Sequence, residues 1–250
     1  MRRTIILLVL AFAGGALLSC GGSSHTTQTG HSTATTPRNS GPTGTVPTKA
    51  RALAFAHAVN LTAADLPGFA ASSSHETNTP REGRLEREML ACAGLVSVES
   101  GVAEASSREF ELKRGILHLG VSSQVSVAST SAAAAKGLAE IRSPHVRSCF
   151  SHYLDQLFKN QRFGRATVGA VSIQSGTPPA PGTTGGFGWR VTATFTAQHV
   201  RIPFYLDFLG FVYGPAEVTL LSTGVLRPFP ASVQQQLFSL LLNRAKAHRL

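Results

Sequence analysis

His145, Cys149 and His152 stand at i, i+4 and i+7 in a stretch that reads as helix. One helix face could therefore present two imidazoles and a thiolate to a metal. Zn²⁺ accepts that donor set, and Asp155 could add an oxygen one turn on, although it drifts off the face. The competing and preferred reading spends Cys149 in a disulfide with Cys92 and leaves the two histidines beside it at the surface. Glu86 and Glu88, and again Glu109 and Glu111, could act as paired carboxylates. They lie among Arg and Lys and read as solvated faces. No Gly-x-Ser-x-Gly elbow occurs, so a hydrolase nucleophile of that type has no support. Gly182 to Gly188 is glycine-rich, but a phosphate loop should follow a strand and open a helix, and this segment precedes a strand. Asp207 is conspicuous because its neighbours, Phe204 to Phe211, are otherwise apolar or glycine. It is expected to point at water from an edge or, if partly buried, to need Arg190 or Arg201 as partner. No catalytic residue and no cofactor is expected from these patterns.

A different chemistry is written near residue 1. Arg2 and Arg3 precede an uncharged apolar run, Ile5 to Leu18, interrupted only by Gly14 and Gly15. The run is shorter than the ~20 residues a bilayer core asks of a spanning helix. A charged start, a short apolar core and small residues at its end make a secretory signal. Leu17-Leu18-Ser19-Cys20-Gly21 resembles the lipobox of bacterial lipoprotein signals, with Leu18 less usual than a small residue at its place. The resemblance implies that residues 1–19 are a signal peptide and that Cys20 carries a diacylglyceryl group. Two acyl chains hold a protein on a membrane where one barely does. Residues 20–47 are nearly devoid of apolar side chains and are expected to form a disordered tether, reaching roughly 30 Å as a flexible coil. His25 and His31 within it read as polar filler.

What remains, residues 48–250, suits one domain of ordinary size. Charge is uneven: after Glu140 the acids are Asp155, Asp207 and Glu217, against eleven Lys or Arg, within an overall net charge of +10. A basic C-terminal half could favour anionic lipid head groups or wall polymers, while dispersed solvated charge is the plainer reading. Export argues against a nucleic-acid partner. It also argues that the two remaining cysteines, Cys92 and Cys149, pair. That bridge would close a loop of about 58 residues, worth about 4 kcal/mol in the chain-entropy model.

The elements that must position these residues follow from periodicity. Helices are expected over 47–60, 84–95, 131–141 and 145–158, the last opened by Pro144. Residues 72–81 and 177–188 read as loops. Val121 to Val127 alternates as a strand, 165–174 is a further strand, and Trp189 to Gln198 alternates most clearly of all. Pro203 to Tyr213 is apolar on both faces, so it is either covered on both sides or lines an apolar cavity. Ala216 to Val225 is another strand. Ser232 and Gln235 resemble a capping box that opens a terminal helix. That helix is expected to lay Val233, Leu237, Leu240 and Leu241 over the apolar face of Trp189, Val191 and Phe195. The sum is an α+β domain, an antiparallel sheet covered by helices.

Leu66-Pro67-Gly68-Phe69, the strand Val121 to Ala128 feeding an Ala-rich helix, and Cys149 after it resemble exported lipoproteins with a PsbP-like sheet-and-helix fold. Exported sensor domains of some bacterial Ser/Thr kinases are similar. The resemblance covers about residues 60–225; it implies a binding or envelope role and transfers no site residues. The expected function is a membrane-anchored extracytoplasmic lipoprotein, non-enzymatic, engaging an envelope protein, lipid or wall polymer. A carrier of lipid or another apolar ligand is the alternative, and a metal-dependent hydrolase the third.

Overall fold

A computed structural model describes residues 46–72, 80–94, 101–160, 167–197 and 199–250. The signal sequence, Cys20 and most of the expected tether lie outside the described residues.

The chain opens with α1 (Lys49–Val59), capped by Thr48, whose hydroxyl accepts from Arg51 N at 3.3 Å. It buries Ala52, Phe55, Ala56 and Val59 at helical spacing. A short 3-10 turn leads to β1 (Ala70–Ala71), and α2 (Pro80–Cys92) follows. Arg81, expected in a loop, is already in that helix. Next come β2 (Ala103–Ser106), β3 (Phe110–Arg114) and β4 (Leu117–Val127). The first two went unread in the sequence, although Phe110 and Leu112 alternate with Glu111 and Lys113. Thr130 caps α3 (Ser131–Ile141) by accepting from Ala133 N at 3.1 Å. Ser143 and Pro144 open α4 (Pro144–Asn160).

The stretch 165–174 resolves into two short strands, β5 (Thr167–Val168) and β6 (Ser172–Gly176). They are followed by β7 (Gly185–Ala197), β8 (Val200–Tyr213), β9 (Ala216–Val225) and α5 (Ala231–Ala247). Strand β7 starts earlier than expected, because Gly185 to Gly188 are ladder residues and not loop. Glycine is needed there sterically: a Cβ on Gly186 would collide with the Pro178 carbonyl oxygen, and one on Gly210 with the Phe187 ring. The terminal helix has Pro230 as N-cap and no side-chain cap, so Ser232 and Gln235 form no capping box.

All strand pairs are antiparallel, and the sheet runs β1-β3-β4-β9-β8-β7-β5. Strands β2 and β3 lie one after the other along the same edge of β4, and β6 and β5 do so along β7. The antiparallel sheet with its helices is the expected α+β fold.

Helices cover both faces, but not the same strands. On one face α4 packs Phe150 on Trp189 and Phe208, and Phe158 on Phe195 and Phe204, with α2 and α3 alongside. On the other, α1 and α5 close over Val121, Val125, Val218, Leu220 and Phe211. Strand β8 sits under both layers, which is why it is apolar on both faces. Its Phe204, Leu206 and Phe208 go to one layer and its Phe211 to the other. The terminal helix therefore does not cover Trp189, Val191 and Phe195; α4 does. Leu237, Phe238, Leu241 and Leu242 are the buried residues of α5, while Val233 and Leu240 are only partly so.

Candidate functional site

The offset of the two helical layers leaves a polar half-face on each side of the sheet. On the face shared with α2, α3 and α4, the register places Glu104 of β2 opposite Ser126 of β4, and Ser126 opposite Glu217 of β9. The next row is Ser106, Gln124 and Thr219. Two carboxyls thus occur two strands apart, about 10 Å between backbones, on either side of a row of hydroxyls and amides. The Gln124 amide donates to Glu104 Oε1 at 2.6 Å. Burial pushes the Glu104 carboxyl up to about 7; the Glu217 charge adds to this and the Gln124 hydrogen bond opposes it. Burial likewise raises Glu217 to about 7 against a hydrogen bond from Thr219. Near neutrality the patch can both donate and accept hydrogen bonds, from rigid strands. Sequence reading missed this grouping. Gln124 and Ser126 were visible as the wet side of β4, but the register that brings Glu104 and Glu217 to them is tertiary.

The opposite half-face belongs to β6 and β7. Gln174, Arg190, Asp207 and Ser222 form one cross-strand row over four strands. Asp207 is buried, with 3% of its surface exposed, so the water-facing reading is wrong. Arg190 is its partner, giving a two-armed contact at 2.6 and 2.9 Å; Arg201 stands opposite Thr196 instead. Gln234 of α5 donates to both Asp207 at 3.2 Å and Ser222 at 2.6 Å. The Arg190 fork ties β7 to β8 and the Gln234 amide ties α5 to the sheet, so the role of the carboxylate is structural. Its hydrogen bond to Asp207 holds the Arg190 guanidinium above its ordinary pKa, against the opposing effect of burial.

The two cysteines anticipated as a pair are joined: Cys92 at the end of α2 and Cys149 on α4 form a disulfide, with Cα atoms 5.8 Å apart. The metal set His145, Cys149 and His152 is therefore not assembled, because the Cys149 sulfur is already bonded. His145 Nε2 lies 2.7 Å from the Cys92 carbonyl oxygen, tying the helix ends together across the bridge, and His152 is exposed. Among the described residues no group of three His, Cys, Asp or Glu is placed to hold a metal ion.

Two expectations about carboxylates also change. Glu86 is half-buried beside Tyr153 and its carboxyl is raised by desolvation, with nearby Arg87 opposing. Glu111 is held between Lys113 and His118 and is not freely solvated. Burial would raise the Asp65 carboxyl, yet it lies below its ordinary value because the Arg244 fork and Thr62 hydrogen-bond it. The doubly apolar strand β8, the sole ground for an apolar-ligand carrier, is accounted for by side-chain packing on both faces.

No known protein family and no curated protein matches the chain. Among solved structures, the extracellular domain of PknH from Mycobacterium tuberculosis is similar over 81% of this chain and 98% of its own, with 11% identity and a TM-score of 0.38. That likeness is weak and assigns no residue a role.

Proposed function

We propose that the chain is a lipoprotein held on the extracytoplasmic face of the cell membrane through Cys20, with residues 48–250 as a non-enzymatic binding domain on the tether 20–47. The observation that carries this reading is the Cys92–Cys149 bond. Disulfides persist in oxidising compartments and not in the cytosol, which agrees with the signal and lipobox pattern ahead of Cys20. The residues that could have done other chemistry are engaged: Cys149 in the bridge, His145 on a backbone carbonyl, Asp207 in an ion pair. The half-buried Ser126 and Thr219, with the half-buried Glu104 and Glu217 beside them and Gln124 buried against Glu104, support recognition of an envelope protein or wall component by hydrogen bonding.

The test is made on the full chain in a bacterial host. The protein should take up labelled fatty acid and fractionate with membranes. Cys20→Ser should abolish labelling and release the protein after a salt wash, because acyl chains supply nearly all of the anchoring affinity. Unlabelled wild type, or a Cys20→Ser variant that still resists the wash, would overturn the anchor. A photo-crosslinker at Ser126 should capture a partner more efficiently than one at Ser172 on the opposite face; equal capture would overturn the assignment of the recognition face.

A further inference from the structure

The large hydrophobic side chains exposed among the described residues are Val46, Ile116 and Val200. The last two share one end of the sheet. Ile116, 81% exposed, is in the turn between β3 and β4, and Val200, 60% exposed, is the first residue of β8, paired with Ala197 at the end of β7. The register fixes their relation, since His118 of β4 and Phe204 of β8 both stand opposite Val225 of β9. The two turns therefore project past the same level, about 10 Å apart across the sheet and differing by about 7 Å in height. Arg114 and Arg201 flank the two apolar tips, and Arg227 follows β9 between them; all three are exposed. Two acids lie just inside this end: Glu111, engaged by Lys113 and His118, and Glu109, whose carboxyl lies over Gly120 beside Thr223; both sit below the level of the two tips.

We infer that this end of the sheet is a docking surface for an anionic lipid bilayer. Two isolated β-branched side chains on projecting turns cannot make the contiguous dry centre that a protein interface needs. They do suit insertion between head groups, with surrounding arginines meeting lipid phosphates. The basic, amphipathic terminal helix cannot supply this contact with its apolar side, because that side is buried against the sheet. The inference does not require acylation at Cys20, and the test separates the two.

Full-length protein is mixed with vesicles of phosphatidylcholine alone or with phosphatidylglycerol added. Flotation and peptide-level hydrogen exchange are then measured. An acylated chain floats with both, and an unacylated one only with the anionic vesicles. In either case exchange around 114–117 and 199–202 should slow on anionic vesicles and not on neutral ones. Replacing Arg114, Arg201 and Arg227 by Gln together should weaken the anionic-vesicle effect on the order of 100-fold, and raised salt should mimic it. Ile116→Ser with Val200→Ser should remove the protection, while Val46→Ser should not. Exchange that is the same on both lipids, or protection that survives these variants, would overturn the inference. So would protection that appears only with an added protein and no lipid.

Discussion

At the scale of single residues, the buried carboxyls set the pH behaviour. Glu217 and Glu104 hold their protons up to about pH 7 in the folded chain, whereas an ordinary glutamate ionises near 4.5. Between those values the folded state binds more protons than the unfolded state. Stability therefore falls as pH rises through this window and levels off above it. Glu217→Gln should remove much of that fall: relative to wild type it should gain about 1–2 kcal/mol between roughly pH 4.5 and pH 8 in urea unfolding. A gap between variant and wild type that does not change with pH would refute the burial account. Asp207 makes the opposite case, a carboxylate supplied with partners. Arg190→Met strands it beside Gln234 and should cost about 3 kcal/mol, read in the same unfolding assay. A cost below about 0.5 kcal/mol, ordinary for an unremarkable surface site, would mean the pair contributes little.

At the scale of elements, α5 gives the sharpest contrast. Leu241 is fully buried under the helix, while its neighbour Leu240 is half-buried beside a surface depression lined by Gln236, Ser239 and Asn243. Leu241→Ala should cost about 2–5 kcal/mol and Leu240→Ala about 1 kcal/mol or less. Thermal unfolding of both variants distinguishes them, and equal losses would place the helix in a different rotation. The same element shows how register outranks local capping. Its first turn is held by Gln234 bonding to the sheet, not by the Ser232 and Gln235 side chains.

At the scale of the whole molecule, the Cys92–Cys149 bond spans 57 residues of sequence and ties α2 to α4. Between its ends lie β2, β3, β4 and α3, so the bridge closes a loop through the middle of the sheet. Restricting an unfolded chain over that length is worth about 4 kcal/mol. The Cys92→Ala, Cys149→Ala double variant should melt well below wild type, and a reductant should lower the wild type toward it. A double variant that melts like the oxidised wild type would show that helix packing alone holds this half of the molecule.

What depends on neighbours along the chain was legible in the residues alone. Alternation marked β4 and β7, and helical spacing marked α1, α3 and α4. These signals arise because side-chain direction repeats every 2 residues in a strand and every 3.6 in a helix, whatever lies across from it. The same periodicity could not say which layer covers which strand. It gave Trp189, Val191 and Phe195 an apolar face but not α4 as its cover, and it made β8 doubly apolar without saying whether helices or a ligand explained it. Register is a long-range quantity, and a one-residue slip would exchange the faces. So the Arg190–Asp207 pair was one of two options before folding. The row of Glu104, Ser126 and Glu217, and the shared end of the Ile116 and Val200 turns, exist only once β2, β4, β9 and β8 are aligned. Tertiary structure decided those because residues tens of positions apart meet only through the hydrogen-bonded ladder and the helices that close over it.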